Sequence, residues 1–535
     1  MIVLAQPCGA APRVVIDLRW TPLAISALPG TVGGRMAHCS PGEPPGEGRN
    51  AGTRPLLERA VRGLLSEAPI DSPLGASFRD PSGFVFERDG ALFRRIHRRY
   101  ASEYDQLMSS GLYTELVERE LLIPHEEVTP PSLDGGEPYT TVRPERVAFV
   151  SYPYEWCFSQ LKDAALTTLR VQRTALRFGM TLKDASAYNV QFHRGRPILI
   201  DTLSFTTYTE GAPWVAYRQF CQHFLAPLAL MAYRDVRLGQ LLKVHLDGIP
   251  LDLARSLLPA RAWLSLQLLL HIRVHARYQT RYAGDTTATR RVRPLSSQAL
   301  DNLLEALASA VTALDWQPEG TEWADYYSGD SYSVEASNHK LELVTRHLER
   351  IAPSSVWDLG ANTGVMSRRA SARGVPTLAL DIDPACVERN YRTVRAEREE
   401  NLLPLLLDLA NPSPARGGAH AERASLVERS GADAVLALAL IHHLAISNNV
   451  PLEQISSLFA RLAPWLVIEW VPKQDPKVQQ LLATREDIFD GYTQAGFEAA
   501  FERRFETLER TAIHGSERTL YLLQRREGAA ASAWA

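Results

Sequence analysis

Cysteine is scarce in this chain of 535 residues, and the five that occur are far apart. None forms a C-x-x-C pair, and none has the His/Cys spacing of a metal site. We therefore predict reduced, mostly buried thiols, no metal and a cytoplasmic location, because disulfides are rare in reducing compartments. The cysteines are Cys8, Cys39, Cys157, Cys221 and Cys386.

Long apolar runs and an excess of one charge are also missing. The run closest to a membrane span, Leu264 to Ile272, is interrupted by Gln267 and His271 and is well short of the roughly 18–20 residues that a span needs. The formal net charge is −3, so the totals carry no strong nucleic-acid signal. What remains is an ordinary globular composition in a chain too long for one core, and we expect at least two domains.

The most informative stretch is Val356-Trp-Asp-Leu-Gly-Ala-Asn-Thr-Gly364. A short apolar run, typical of a buried parallel strand, leads into a turn with a glycine at each end, where the backbone must bend sharply or approach a ligand. Met366 to Arg373 then has helical spacing, and a second apolar run, Pro376 to Leu380, ends at Asp381. Asp381 follows Gly360 by about 20 residues, the offset at which nucleotide-binding folds place a carboxylate on ribose hydroxyls.

The chemistry of this loop separates two ligand classes. Dinucleotide enzymes use G-x-G-x-x-G, whose bare amides cradle a pyrophosphate. Here the loop has two glycines, and Asp358 stands two residues before the first of them. A carboxylate at that place would repel phosphate but suits an ammonium group, which favours S-adenosylmethionine over NAD. The loop resembles motif I of the class I S-adenosylmethionine-dependent methyltransferases, whose common form is D/E-x-G-x-x-x-G. Any other βαβ unit with a glycine turn is the alternative.

Later segments follow the order of that family's sheet. The resemblance covers roughly residues 316–525 and implies an α/β fold with a seven-stranded, Rossmann-like methyltransferase sheet. The further strands assigned in this way are Leu402 to Leu407, Ala432 to Leu440, Leu462 to Glu469, Phe497 to Phe505 and Arg518 to Leu523.

The resemblance also implies roles for residues at the ends of these strands. It assigns the methionine end of S-adenosyl-L-methionine to Asp358, the ribose to Asp381 and the adenine edge to Asp408. Asp383 is the rival for the ribose, although a helix should already begin at Pro384. The loop beneath the cofactor consists of Gly360, Ala361, Asn362 and Gly364.

The acceptor side is predicted at Ile441-His-His-Leu444, which looks like the family's motif IV. His442 and His443 are the candidate catalytic residues, because an imidazole of near-neutral pKa can take a proton from a hydroxyl. The alternative for each is a structural turn histidine. The chain lacks the Asn/Asp-Pro-Pro-Tyr/Phe motif and the cysteine pair of nucleobase methyltransferases, so we favour O-methylation of a small molecule or glycan. Weaker candidates are Tyr332 and Lys340 for the cofactor pocket, and Glu469 and Lys473 for the acceptor side.

The N-terminal half shows a second pattern. Gly83 to Phe86 and Ala91 to Ile96 predict a hairpin through an Asp-Gly turn. Helical spacing over His97 to Leu122 and a short strand over Val147 to Ser151 follow. Further helices are predicted over Ala164 to Phe178, Gly211 to Arg218, Leu300 to Leu314 and Leu341 to Ile351.

Three polar residues of this half form a recognisable layout. Asp184, Asn189 and the strand-end Asp201 resemble the catalytic and metal-binding loops of the protein-kinase and aminoglycoside-phosphotransferase superfamily, which implies a nucleotide site. The pattern departs from that family in two ways: no histidine precedes Asp184, and the strand that should carry the ATP lysine offers only Arg94 and Arg95. The alternative is an Asx-capped loop before a hairpin.

The two patterns divide the chain. We predict a disordered tail over residues 1–55, an α+β, kinase-like domain over 56–280, a linker and helix over 281–315, a methyltransferase domain over 316–525 and a second tail over 526–535. Ser77 to Gly83 together with Leu438 to His443 also looks like large bacterial methyltransferases labelled nodulation-related. The leading hypothesis is a methyltransferase with an unidentified acceptor. The alternatives are a non-catalytic S-adenosylmethionine-binding scaffold and a nucleotide-dependent phosphotransferase in the N-terminal domain. The oligomeric state stays open.

Overall fold

The structure, a computed structural model, describes residues 73–128, 138–274, 296–319, 333–483 and 485–528. The predicted tail over 1–55, most of the linker from 281 onward, Tyr332 and most of the second tail lie outside these ranges. No helix in the described ranges is long and apolar enough to cross a membrane.

The first described element is an antiparallel sheet of four strands with the order β1-β2-β4-β3. Its first two strands form the predicted hairpin. Asp89 and Gly90 between them both have positive φ, 51° and 74°, as a two-residue hairpin turn requires. The strands are β1 (Gly83–Arg88), β2 (Ala91–Ile96), β3 (His125–Val128) and β4 (Thr140–Pro144), and the helices between β2 and β3 are α1 (Ala101–Ser109) and α2 (Leu112–Glu118).

A long helix, α3 (Phe158–Arg177), follows and is buried along one face because its apolar residues recur at helical spacing. Two short antiparallel pairs come next, β5 with β8 and β6 with β7. The bounds are β5 (Met180–Leu182), β6 (Val190–His193), β7 (Arg196–Leu199), β8 (Phe205–Thr207), α4 (Tyr217–Phe220), α5 (Ala226–Tyr233), α6 (Leu251–Leu257), α7 (Leu266–Leu268) and α8 (Ser297–Ala313).

Two sequence predictions in this half were wrong. Residues 147–151 form no strand: they are irregular, and their apolar residue Phe149 packs edge-on against Trp357 at 5.5 Å. The helix predicted from Gly211 begins only at Tyr217. Pro213 disfavours the helical region for Ala212, and Trp214 to Tyr217 then form a turn closed by a hydrogen bond of 3.2 Å from the amide of Tyr217 to the carbonyl of Trp214.

The C-terminal half contains a seven-stranded sheet with the order β11-β10-β9-β12-β13-β15-β14. The first five strands in this order are parallel, and β15 pairs antiparallel with both β13 and β14. The predicted α/β fold with a seven-stranded, Rossmann-like methyltransferase sheet is therefore confirmed. The strands are β9 (Val356–Leu359), β10 (Thr377–Asp381), β11 (Leu402–Leu406), β12 (Ala434–Ala437), β13 (Trp465–Trp470), β14 (Phe505–Ala512) and β15 (Thr519–Arg525).

Helices cover both faces of this sheet, which is why its parallel strands are almost continuously apolar. They are α9 (Val334–Ile351), α10 (Arg368–Ser371), α11 (Pro384–Glu397), α12 (Leu452–Leu462), α13 (Pro476–Leu482) and α14 (Gln494–Glu502). The strand predicted over Phe497 to Phe505 was wrong, since most of it belongs to α14. Phe497 and Phe501 are four residues apart, a helical spacing, and their rings lie 4.6 Å from each other on one buried face.

The described residues form one compact unit, and one cluster of buried apolar side chains runs through both halves. Trp156 and Phe192 of the N-terminal half continue it to Tyr391 on α11 through ring contacts of 5.3 and 5.7 Å. The carboxyl ends of β9 to β12 all reach the same edge of the large sheet. The strand order reverses direction between β9 and β12, where open α/β sheets bind their ligands.

Candidate cofactor site

A cavity of about 490 Å³ opens at this edge of the sheet. Its size lies within the range of roughly 300–1,000 Å³ that small-molecule sites occupy. The ends of β9, β10, β11 and β12 line it, together with the first turns of α9. Of the residues predicted to bind the cofactor, it contains Asp358, Gly360, Ala361, Asn362, Asp381 and Asp408.

Asp358 lies on β9 and is 1% exposed. Its Oδ2 accepts a hydrogen bond of 2.6 Å from the hydroxyl of Ser367. Burial raises the pKa of Asp358 to about 6, although Ser367 and the nearby Lys340 act in the opposite direction. The carboxylate is thus costly to keep charged in the ligand-free protein, and a cationic group placed against it would stabilise the charge.

Three of the five residues in the loop after β9 have a positive φ, namely Gly360, Asn362 and Gly364. Gly360 has a φ of +74°, and a Cβ there would come within 3.2 Å of Leu440 on the opposite wall. Asn362 has a φ of +50° and donates its backbone amide to Oδ2 of Asp381 at 2.7 Å. Gly364 is not among the residues that line the cavity. A Cβ there would lie 2.5 Å from the amide of Asn390, so this glycine is needed for packing against α11.

Asp381 ends β10; its Oδ2 accepts from the loop after β9, and its Oδ1 faces the turn between β10 and α11. Oδ1 accepts from the backbone amide of Asp383 at 2.9 Å, and burial raises the pKa of Asp381 to about 6. Asp383, the alternative candidate for the ribose, caps the following helix instead. Its Oδ1 accepts from the amide of Ala385 at 2.8 Å and caps α11, and it is not among the lining residues. Asp381 is therefore the carboxylate that the strand presents to the cavity.

Asp408 follows β11 and lies on the cavity wall beside Leu407, Leu409 and Ala410. Its Oδ1 accepts from the amide of Ala410 at 2.9 Å. An apolar wall with one carboxylate at its rim suits a flat heteroaromatic ring that carries an amino group. Asp408, Asp381 and Asp358 lie at or next to the carboxyl ends of three neighbouring strands, β11, β10 and β9.

The two adjacent histidines have different surroundings. His443 lines the cavity, whereas His442 is 1% exposed and is not among the lining residues. Burial lowers the pKa of His443 to about 4 and that of His442 well below its usual value, so both imidazoles are neutral near pH 7. Of the two predicted catalytic residues, only His443 is thus placed to touch a ligand in this cavity.

A buried charged network behind the cavity was not predicted as a unit. Nζ of Lys340 lies 2.6 Å from Oε2 of Glu469, whose Oε1 lies 3.3 Å from Nη1 of Arg518. Arg518 also donates from Nε to Asp475 at 2.7 Å. Glu469 accepts from the amide of Ala439 at 2.8 Å, and thereby holds a residue with a φ of +50° on the cavity wall. The sequence offered Lys340 and Glu469 only singly, and the carboxylate of Glu469 inside the otherwise apolar strand β13 was the available signal.

The predicted nucleotide-site residues of the N-terminal half also come together. Oδ1 of Asp184 accepts from the amide of Ser186 at 2.8 Å, and the amide of Asn189 donates to Ser204 at 3.1 Å. The carboxylate of Asp201 forms an ion pair with Arg94 and accepts from the hydroxyl of Ser204. In the described part of the chain, no group of three or more His, Cys, Asp or Glu could hold a metal ion. In this structure the carboxylate of Asp201 is thus paired with Arg94.

The residues around the large cavity fit S-adenosylmethionine better than a dinucleotide. Three carboxylates end β9, β10 and β11, where a pyrophosphate would be repelled and an ammonium group and ribose hydroxyls would be accepted. The sheet order and this donor set define the class I S-adenosylmethionine-dependent methyltransferase fold, whose cofactor is S-adenosyl-L-methionine.

Comparison with known proteins gives the family. No protein-family model matches the chain. The nodulation protein NoeA of Rhizobium meliloti (strain 1021) is 35% identical over 472 residues, which are 87% of this chain and 98% of that protein. The chain therefore belongs to the family of the nodulation protein NoeA.

Solved structures align with parts of the chain only. Magnesium protoporphyrin IX methyltransferase (ChlM) of Synechocystis PCC 6803 with bound SAH aligns at 16% identity and a TM-score of 0.28, over 38% of this chain and 93% of that one. The N-methyltransferase NodS of Bradyrhizobium japonicum WM9 aligns at 11% identity and 0.27, over 36% and 99%. The bifunctional kinase-methyltransferase WbdD aligns at 14% identity and 0.27, over 40% of this chain and 45% of WbdD. These scores are low, and the fold assignment rests on the strand order instead.

Proposed function

We propose that the chain is an S-adenosylmethionine-dependent methyltransferase that O-methylates a small molecule or glycan. The observation that carries this proposal is the row of Asp408, Asp381 and Asp358 along one cavity, at the ends of three neighbouring strands. When bound, S-adenosylmethionine supplies an electrophilic methyl group on a sulfonium, and S-adenosylhomocysteine leaves. In the proposed roles, Asp381 accepts the ribose hydroxyls, Asp358 accepts the ammonium group and Asp408 lies at the adenine edge.

Four neutral polar residues that line the cavity indicate the acceptor class. Ser337, Asn338, Ser447 and Asn448 are neutral hydrogen-bonding groups, and they suit a hydroxylated, uncharged acceptor. His443 stays neutral above about pH 5 because burial lowers its pKa to about 4, so it can accept a hydrogen bond from an acceptor hydroxyl. A weak base is sufficient here, because the hydroxyl becomes strongly acidic as its oxygen bonds to carbon. The name of the relative, a nodulation protein, supports a role in nodulation.

The proposal is tested by calorimetric titration of the purified protein with S-adenosylhomocysteine. We expect Asp381→Asn to weaken binding at least 100-fold, because the neutral amide keeps the size of the side chain but loses its charge and one acceptor oxygen. Asp433→Asn is the matched control. Its carboxylate lies at the opposite end of β12 and accepts from Ser354, so binding should be unchanged. Unaltered protein that binds no S-adenosylhomocysteine would contradict the proposal.

A turnover assay distinguishes a catalytic protein from one that only binds the cofactor. The release of S-adenosylhomocysteine from S-adenosylmethionine should rise with pools of neutral oligosaccharides or hydroxylated small molecules, and His443→Ala should lower it. Binding that is intact while no pool supports turnover would favour the alternative, a non-catalytic S-adenosylmethionine-binding scaffold.

The affinity should also depend on pH. Asp358 and Asp381 both have a pKa raised to about 6 by burial, and the cofactor groups proposed to face them favour the charged forms. Affinity for S-adenosylhomocysteine should therefore fall as the pH decreases through about 6, and binding near that pH should release protons. Calorimetry in buffers of different ionisation enthalpy measures the release, which should vanish near pH 8. An affinity that is flat from pH 5 to 8 would contradict the assigned roles.

The same raised pKa values act on stability with the opposite sign. A carboxyl whose folded-state pKa is above its ordinary value near 3.8 contributes stability below that value, and the contribution is lost as the pH rises through about 6. Without ligand, these two groups therefore favour folding at low pH. Saturating S-adenosylhomocysteine should remove this part of the pH dependence.

A further inference from the structure

The loop between β11 and β12 begins at the cofactor cavity and then crosses to the N-terminal half. Asp408, Leu409 and Ala410 line the cavity at the start of this loop. The chain then turns, because the amide of Asn411 donates to the carbonyl of Asp408 at 3.2 Å. Ser413, five residues after Asp408, is already buried. Only a short stretch of chain therefore separates a cavity residue from a buried anchor.

This stretch is stiff. Prolines at positions 412 and 414 stand on both sides of Ser413, and a proline fixes its own φ and restricts the residue before it. The carboxylate of Asp408 is oriented by the same turn, because its Oδ1 accepts from the amide of Ala410 at 2.9 Å. A displacement of Ser413 should therefore move the carboxylate of Asp408.

The N-terminal half holds the loop at two places close to this turn. The hydroxyl of Ser413 lies 3.2 Å from the hydroxyl of Tyr154, a residue that is 1% exposed. Arg416 donates from Nη1 to the carbonyl of Lys243 at 2.7 Å and from Nε to Ser413 at 3.2 Å. Arg416 thus connects the Ser413 anchor to the N-terminal half.

The following part of the loop is attached to the same half. Arg416 and Arg423 pair through their backbones, with N–H to O distances of 2.9 and 3.1 Å. The guanidinium of Arg423 lies 4.2 Å from the ring centre of Tyr188. Nε of Arg79 donates to Glu422 at 2.9 Å. The N-terminal half therefore contacts the loop from residue 413 to residue 423.

Lys243 also brings a positive charge to this edge of the cavity. Burial and the neighbouring Arg416 lower the pKa of Lys243, whereas Asp408 and Glu155 act in the opposite direction. The interaction is mutual, so the ammonium group favours the ionised form of Asp408. An ionised carboxylate accepts a hydrogen bond from an amino group on a purine ring, and it has none to give to an oxo group at the same position.

We propose that the N-terminal half controls base selection in the cofactor cavity by positioning Asp408, and that Arg416 transmits this control. Arg416 and Tyr154 are positioning residues: neither is among the residues that line the cavity, and both act on the loop that carries Asp408. This inference rests on the proposed function, in which Asp408 lies at the adenine edge, and it gives the N-terminal half a role in that site.

Two ligands test it by calorimetric titration of the full-length protein. S-adenosylhomocysteine carries an amino group on its purine ring, and S-inosylhomocysteine carries an oxo group at that position. The unaltered protein should bind the first about ten-fold or more tightly than the second, because the oxo group leaves the carboxylate without a donor. Arg416→Met should reduce this affinity ratio about three-fold or more, and Tyr154→Phe about two-fold.

Combined variants show whether these residues act through Asp408. Arg416→Met should cause no further loss of the ratio in a protein that already carries Asp408→Asn. Tyr154→Phe and Ser413→Ala remove the same hydrogen bond, so together they should lower the ratio by less than the product of their separate effects. A merely structural role would weaken both ligands by the same factor and leave the ratio unchanged.

Two matched variants serve as controls. The hydroxyl of Tyr113 donates to the carbonyl of His125 at 2.9 Å, between α2 and β3, so Tyr113→Phe should keep the ratio of the unaltered protein. Arg196 forms an exposed ion pair with Glu120, and Arg196→Met should keep the ratio as well.

The possible failures are distinguishable. A ratio that stays unchanged in Arg416→Met and in Tyr154→Phe would overturn this inference and leave the proposed function standing, as would equal binding of the two ligands by the unaltered protein. If Arg416→Met does not fold, Tyr154→Phe decides, because it removes a single hydroxyl. Failure of both ligands to bind the unaltered protein would overturn both the inference and the proposed function.

Discussion

Replacing Arg518 by methionine should lower the free energy of unfolding by about 3–5 kcal/mol, the cost of removing one partner from a buried ion network. The side chain of Arg518 is 1% exposed and bonds to Asp475 through Nε and Nη2, at 2.7 and 3.2 Å. Without it, Asp475 loses both of these donors, and fully buried Glu469 loses a cationic partner while it keeps Lys340 and the amide of Ala439. Chemical denaturation followed by circular dichroism measures the loss.

A matched control distinguishes the loss of the buried ion network from the loss of any arginine side chain. Arg526 is exposed just beyond β15 and donates from Nε to the carbonyl of Glu502, so Arg526→Met should change stability by less than about 0.5 kcal/mol. Arg518→Lys should be intermediate, because it keeps the charge but cannot form the two-pronged contact with Asp475. An Arg518→Met protein as stable as the unaltered one would show that these carboxylates do not depend on their partner.

The parallel strands were predictable from the sequence because each is buried on both faces. Val356 to Leu359 and Thr377 to Asp381 have no exposed residue, so they appear in the sequence as short, nearly continuous apolar runs between turns. The glycine loop and the strand-end carboxylates are local features, and the fold places most of them around one cavity. The predicted cofactor roles of these residues are left to the binding experiments.

What the sequence missed depends on tertiary contacts. Lys340, Glu469 and Arg518 are far apart along the chain, and the fold brings them together through α9, β13 and the turn before β15. Which of two adjacent histidines faces the cavity depends on the rotation of the short helical segment after β12, and spacing alone does not give that angle. Phe497 to Phe505 was assigned to a strand because the family order required one there, although the four-residue spacing of its aromatic side chains already favoured a helix.

A cut ten residues after the predicted start of the methyltransferase domain at residue 316 gives the second large effect: residues 326–535 expressed alone should not fold stably. The carboxylate of Glu388 on α11 is fully buried, and it accepts from the backbone amide of Ser159 at 2.9 Å and from the Ser159 hydroxyl. Trp357 would lose its ring contact with Phe149. Tyr391 would lose its ring contact with Phe192 and its hydrogen bond of 2.9 Å to the carboxylate of Asp163. The fragment would thus expose large aromatic side chains and leave the buried carboxylate of Glu388 with Arg392 but without the two donors of Ser159.

A second contact between the two halves also predicts that the fragment is unstable. Arg429 and Glu155 form a buried ion pair with side chains 7% and 6% exposed, and the guanidinium lies 4.3 Å from the ring centre of Tyr152. Breaking such a pair costs about 3–5 kcal/mol, which is a large part of the stability of an ordinary domain. Thermal denaturation and dye binding should report a loosely packed fragment, whereas residues 1–325 co-expressed with it should restore a cooperative transition and S-adenosylhomocysteine binding. A fragment that melts cooperatively and binds the ligand alone would show that the N-terminal half is a separate domain, and its aromatic contacts with the large sheet would then be dispensable for the cofactor site.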